Sequence, residues 1–109
     1  MNVPSVINLR EAVRYVIENN TNEGYPPNYF RRKTSCPDRE LLRSCLDLLY
    51  NPNSINAVYK SLEAHPKMIT LEDFIVRYGN DWGFTPDNIQ KAKDSLDTFN
   101  SVPGKVKWS

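Results

Sequence analysis

The stretch PDRELLRSCLDLLYNPNS, residues 37–54, decides the fold class of this chain. Its apolar residues recur three or four positions apart, which is the spacing of one helix face and not the alternation of a strand. Pro37 suits the first turn of a helix, where its missing N–H would have no partner. The apolar stripe consists of Leu41, Leu42, Cys45, Leu46, Leu48 and Leu49. We therefore predict a core helix here, which NPNS ends at residues 51–54 before the next helix begins.

Helical spacing also dominates the chain on both sides of this stretch. Asn8, Thr70 and Thr85 stand where N-caps are expected, and Pro86 strengthens the last of these starts. We predict an all-α protein of about five short helices around one core, in which the last two helices resemble a helix-turn-helix. KMIT and KVKW are the two segments that could instead form short strands. The predicted core comprises Leu42, Leu46, Leu49, Val58, Leu62, Phe74 and Leu96.

Length and composition are those of one globular domain, which we place at residues 1–100, followed by a C-terminal tail at 101–109. The 109 residues are 39% hydrophobic, and the net charge of +1 favours no class of partner. Basic residues gather at 31–43 and acidic residues at 72–97, which predicts either two charged ends or two solvated helix faces. MNVPSVINLR does not read as a secretory signal, and no run approaches the length of about 20 apolar residues that spans a membrane. We expect a cytoplasmic protein with reduced thiols and no membrane contact.

Several kinds of chemistry lack the residues that they need. The one histidine, His65, precedes a proline, and Cys36 and Cys45 have no zinc-binding spacing. Cys36 could be reactive at a helix start, but no base accompanies it, so we expect both thiols to be passive. Glu72 and Asp73 are neighbours on a helix and point about 100° apart, so they do not form an acid–base pair. We expect no catalytic residues, no metal and no cofactor, and therefore a protein that is not an enzyme.

The stretch GYPPNYFRRK, residues 24–33, has the most distinctive composition in the chain. It could be a connector whose two prolines hold it extended while Tyr29 and Phe30 cover the bundle. It could instead be a recognition segment, because tyrosine and arginine are enriched in binding hot spots. The candidate partner-binding residues are Tyr25, Tyr29, Arg31, Arg32, Lys33, Arg39 and Arg43. A protein partner is favoured, and the alternative is a nucleic-acid-binding module that uses residues 25–43, stacking bases and neutralising phosphates.

Three segments together resemble an uncharacterised bacterial helical domain, some members of which lie near restriction or phage-defence genes. They are GYPPNYF at 24–30, ITLEDFIV at 69–76 and FTPDNIQKAKDSL at 84–96. The chain differs from that family after the aromatic motif, where RRKTSCPDRELL replaces small residues and glycine. The resemblance implies a helical fold and a bacterial or phage origin, but no reaction. We therefore expect a small interaction module, an accessory or inhibitor linked to defence systems.

Overall fold

A computed structural model describes all residues, 1–109, as a bundle of helices without strands. The six α-helices are α1 Leu9–Asn22, α2 Asn28–Thr34, α3 Asp38–Tyr50, α4 Pro52–Ala64, α5 Leu71–Tyr78 and α6 Pro86–Phe99. A 3-10 turn, Gly79–Trp82, joins α5 to α6. The prediction of an all-α domain is confirmed, with one helix more than the approximate count of five. KMIT and KVKW form no strand.

The additional helix, α2, lies inside the stretch that could have been an extended connector. Gly24 has a φ of 100°, which turns the chain after α1. Pro27 then occupies the N-cap of α2, where the absence of an N–H costs nothing, and the Arg31 N–H donates to its carbonyl at 2.9 Å. Thr34 Oγ1 donates to the Phe30 carbonyl at 2.8 Å in the last turn. The two prolines therefore stiffen only the entry to a short helix.

Side chains cap the helices at the predicted positions. Asn8 Oδ1 accepts a hydrogen bond from the Glu11 N–H at 2.9 Å, which fixes the start of α1. At α5, Thr70 Oγ1 accepts from the Asp73 N–H at 3.3 Å, and the Asp73 carboxylate accepts from the Thr70 N–H at 2.9 Å. Thr85 forms the same reciprocal pair at the start of α6. These bonds satisfy N–H groups that have no partner within a helix.

The core is built around α5, the most buried helix. Phe74 and Ile75 are fully buried but belong to different clusters. Phe74 packs in a cluster with residues of α1, and Ile75 packs in a cluster with residues of α1, α3 and α6. Leu49, Leu62 and Phe74 are buried as predicted, whereas four other predicted core residues are only partly buried: Leu42, Leu46, Val58 and Leu96. A chain of this size has too few helices to cover the full width of each apolar stripe, so residues at the edges of the stripes remain partly exposed.

The C-terminal segment packs back onto the bundle. The Val106 N–H donates to the Pro66 carbonyl at 2.9 Å, and Val102 is buried against α4 and α6. The Val3 N–H donates to the Ser109 carbonyl at 2.8 Å, so the two ends of the chain lie side by side. None of the six helices combines the length and the apolar character needed to cross a membrane.

Candidate functional site

Helix α2 divides the aromatic residues of the distinctive stretch between the surface and the core. Tyr29 is 53% exposed, and Arg31 and Arg32 are also exposed. Phe30 is partly buried and packs against two clusters of the core. Neighbouring helix positions point about 100° apart, so one turn can anchor α2 through Phe30 and leave Tyr29 in solvent. We call the exposed side chains of α2 and of the first turn of α3 the Tyr–Arg surface: Tyr29, Arg31, Arg32 and Arg39.

Two of the predicted basic residues are paired within the chain. Lys33 Nζ lies 3.3 Å from Asp47 Oδ2, and Arg43 Nε lies 3.4 Å from Asp47 Oδ1. The three arginines of the Tyr–Arg surface have no carboxylate within 4.0 Å. The basic stretch therefore contributes fewer free positive charges than its composition indicates. The spacing of Arg43 and Asp47, four positions apart on a helix, was the sequence signal for this pairing.

Arg10 on α1 holds the turn that follows α2. Its Nε donates to Asp38 Oδ1 at 2.8 Å, and its two terminal nitrogens donate to the carbonyls of Thr34 (2.6 Å) and Cys36. Only 19% of the side chain is exposed. A guanidinium group can serve three acceptors at once because its donors form a rigid planar fork. Arg10 thus fixes the direction in which α2 leaves the bundle, and sequence reasoning did not identify it because its acceptors lie 24 to 28 positions away.

Tyr25 occupies a different position from the other candidate residues. Its ring is tilted against His65, with 6.2 Å between the ring centroids, and it packs on the cluster formed by α4, α6 and the C-terminal segment. A Cβ atom at Gly24 would lie 3.2 Å from the His65 ring. The tight turn before α2 therefore requires the glycine both for its positive φ and for this close approach. Tyr25 contributes to the wall of the bundle and lies beside the Tyr–Arg surface without being part of it.

A cavity of about 90 Å³ lies behind α2, between α1, α3, α4 and α5. We call it the α2 cavity. Most of its lining is apolar, and Tyr29 both lines it and reaches solvent. The polar residues of the lining are Asn20, Ser54, Ser61, Thr70 and Glu72. The Ser54 hydroxyl is buried and has no hydrogen-bond partner in the chain. Its apolar walls include Tyr25, Phe30, Leu48, Leu49 and Val58.

Glu72 is a buried carboxyl group, although its sequence neighbours suggested an acidic surface. It is 6% exposed, and burial raises its pKa from 4.5 to about 7. The negative charge of Asp73 also raises this pKa, while the backbone N–H of Glu72 and the Lys91 ammonium lower it. Asp73 is itself buried, and burial raises its pKa despite the hydrogen bonds from Thr70. These two residues therefore add little to the acidic face predicted at residues 72–97.

The two thiols are free and lie in different surroundings. Cys45 is fully buried in the core cluster of α1, α3, α5 and α6, and burial raises the pKa of its thiol to about 12. Cys36 is partly buried, and its Sγ lies 3.5 Å from Ser44 Oγ. Cys45 thus stays protonated near neutral pH and acts as a small apolar residue. No group of three or more His, Cys, Asp and Glu side chains is arranged to hold a metal ion.

The helix-turn-helix-like pair, α5 and α6, presents little that could contact nucleic-acid bases. Asn88 is the residue near the start of α6 best suited to hydrogen-bond adenine. Its Oδ1 accepts from the Thr85 N–H at 2.9 Å, and its Nδ2 donates to the Tyr50 hydroxyl at 3.0 Å. The amide is therefore engaged within the protein on both sides. Gln90, the other such amide, donates to Asp94 on the same helix at 2.9 Å.

Fold and site together define a six-helix domain with an exposed Tyr–Arg surface over a small, mostly apolar cavity. Comparisons with protein-family models, curated proteins and solved structures gave no match to this chain.

Proposed function

We propose that this chain is a non-catalytic protein-interaction module that binds an acidic partner protein through the Tyr–Arg surface. The observation that carries the proposal is the exposure of Tyr29 beside arginines that have no carboxylate partner. A large exposed aromatic ring and free guanidinium groups are the side chains most enriched in binding hot spots. The setting, an accessory or inhibitor in a bacterial or phage defence system, is supported only by the resemblance of the three sequence segments.

The anchoring of α2 supports this surface as a preorganised one. Phe30 packs into the core on one side of the helix, and Arg10 holds the turn that follows it. Side chains on a fixed helix lose less conformational freedom on binding than side chains on a mobile loop. Charge pairing supports a protein partner over nucleic acid. Asp47 pairs with both Lys33 and Arg43 and offsets one of their two positive charges, and affinity for nucleic acid rises with the number of phosphates that free cations can neutralise.

The test is a double charge reversal, Arg31→Glu with Arg32→Glu, measured against the partner that the unmodified protein captures in its native host. This change moves the net charge from +1 to −3, since each of the two replacements contributes −2. The matched control is Arg14→Glu with Lys93→Glu, two exposed residues on α1 and α6 that undergo the same net change. We expect the first variant to lose at least tenfold in affinity, because attraction is replaced by repulsion, while the control stays within about threefold.

Thermal unfolding of both variants is the control for folding. Because exposed charges contribute little to stability, both variants should unfold near the temperature of the unmodified protein, and a loss of affinity then reflects binding. Equal affinities for the two double variants would contradict the proposal and leave α2 as a structural element. Binding that disappears after nuclease treatment and weakens steeply with salt would instead support the nucleic-acid alternative at residues 25–43.

A further inference from the structure

The α2 cavity is lined by one hydroxyl group that the folded chain leaves without a partner and by one buried carboxyl group. The Ser54 hydroxyl is buried and has no hydrogen bond, and the buried Glu72 carboxyl lines the same cavity. Buried polar groups in folded proteins are nearly always paired, by protein or by a bound molecule, because an unpaired group loses its hydration without compensation. An unpaired hydroxyl and a buried carboxyl that line one mostly apolar cavity form the arrangement of a ligand site, with walls for an apolar body and polar groups that fix its orientation.

We propose that the α2 cavity binds a small neutral molecule, or the end of one, that has a short apolar body and a hydroxyl group directed at Ser54 and Glu72. This site does not depend on the proposed protein interaction, because Ser54 and Glu72 lie inside the bundle and the free arginines lie on its surface.

The volume of the cavity limits the size of the ligand. A dry protein cavity of about 150 Å³ accommodates benzene, so a cavity of about 90 Å³ accommodates roughly four heavy atoms. The apolar walls include Leu48, Leu49 and Val58, which suit an alkyl chain. Because Tyr29 lines the cavity and is also half exposed, a longer molecule can pass along its ring into solvent.

The polar end of the cavity favours a hydroxyl over a charged group. An ammonium ion and an ionised carboxylate would both have to lose their hydration in this site. In a buried site their mutual attraction seldom exceeds the two desolvation penalties. Of the charged groups that act on Glu72, Asp73 beside it on α5 raises its pKa more than Lys91 on α6 lowers it. A hydroxyl can donate to the carboxyl group or accept from it, and it can do the same with Ser54. It can therefore pair with Ser54, or with Glu72 in either of its protonation states.

The experiment titrates the full chain with 1-butanol and follows the backbone amide resonances by two-dimensional NMR. We expect saturable shifts at residues that line the cavity. The Ser54→Ala variant should weaken binding by about 2- to 10-fold, the usual effect of one neutral hydrogen bond. The control variant is Ser95→Ala, since Ser95 on α6 also has a buried, unpaired hydroxyl but does not line the cavity. Its affinity should equal that of the unmodified protein.

The same titration with n-butylammonium separates the neutral from the charged ligand class. We expect it to bind at least tenfold more weakly than 1-butanol at pH 7. The proposal is overturned by unsaturable or scattered shifts with 1-butanol, by equal affinities of the Ser54→Ala and Ser95→Ala variants, or by tighter binding of the ammonium compound. Both serine variants lose one hydroxyl and no hydrogen bond, so both are expected to fold.

Discussion

Replacing Glu72 by glutamine should make the protein more stable at pH 8 and leave its stability almost unchanged near pH 4.5. The folded state holds the proton of Glu72 more tightly than the unfolded state, with a pKa of about 7 against 4.5. Between these two values the folded protein binds more protons, so the stability of the unmodified protein falls as pH rises. Well above pH 7 this loss of stability reaches its full value. Glutamine has the shape of the protonated side chain and does not ionise, so it avoids the loss.

The magnitude follows from the distance between the two pKa values. Each pH unit of difference corresponds to about 1.4 kcal/mol, so ionising Glu72 in the folded protein costs about 3 kcal/mol, as an order of magnitude. Glu72 is 6% exposed, so solvent screens this cost little. Natural domains of this kind unfold with a free energy of about 5–15 kcal/mol, which makes the predicted change large enough to measure.

The assay is urea unfolding of the unmodified protein and the Glu72→Gln variant between pH 4.5 and pH 8, followed by far-ultraviolet circular dichroism. Asp73 also has a raised pKa, but it is present in both proteins and cancels to first order in their difference. Glu63→Gln serves as the control, because Glu63 is exposed on α4 and undergoes the same chemical change. Its stability difference should not vary with pH. A Glu72→Gln difference that is equally constant would refute the buried, protonated carboxyl.

Two further predictions concern stability and can be checked by the same unfolding assay at one pH. Leu49→Ala should lower the free energy of unfolding by about 2–5 kcal/mol, because Leu49 is fully buried. Leu46→Ala should lower it less, because Leu46 is only partly buried, and the reverse order would contradict the packing of α3. Arg10→Lys should lower the free energy of unfolding by about 1–3 kcal/mol, because an ammonium group cannot bind Asp38 and two backbone carbonyls in the geometry of the guanidinium fork. An unchanged free energy of unfolding would mean that Arg10 does not hold the turn after α2.

The sequence was sufficient for the features that depend on neighbours along the chain. Helix spacing and caps are local, so the sequence alone assigns Asn8, Thr70 and Thr85 to helix starts, and the structure has them there. The extra helix α2 was missed because seven residues are too few for a helical period to be visible, and two prolines precede them. The local pattern therefore predicts the fold class but not α2, the one short helix that carries most of the Tyr–Arg surface.

The candidate site depends on neighbours that are distant along the chain. Glu72 reads as a surface acid in the first turn of α5, where a carboxylate is favourable for the helix dipole. Only the packing of α5 at the centre of the bundle turns it inward. Ser54 likewise reads as an ordinary residue of a helix start. Neither residue has a local signal that distinguishes it from a solvated one.

The same separation of local and distant contacts explains why the Tyr–Arg surface and the α2 cavity can be tested independently. Phe30 and Tyr29 follow each other on α2, yet one anchors the helix and the other reaches solvent. Charge reversal at Arg31 and Arg32 changes only groups that face water, and Ser54→Ala changes only a group that faces the cavity. A ligand in the cavity would contact the inner side of Tyr29 while leaving the arginines untouched.

If 1-butanol binds equally well to the double charge-reversal variant and to the unmodified protein, the two sites are separate. If its affinity falls in that variant, α2 has moved, and the surface and the cavity share one mobile wall.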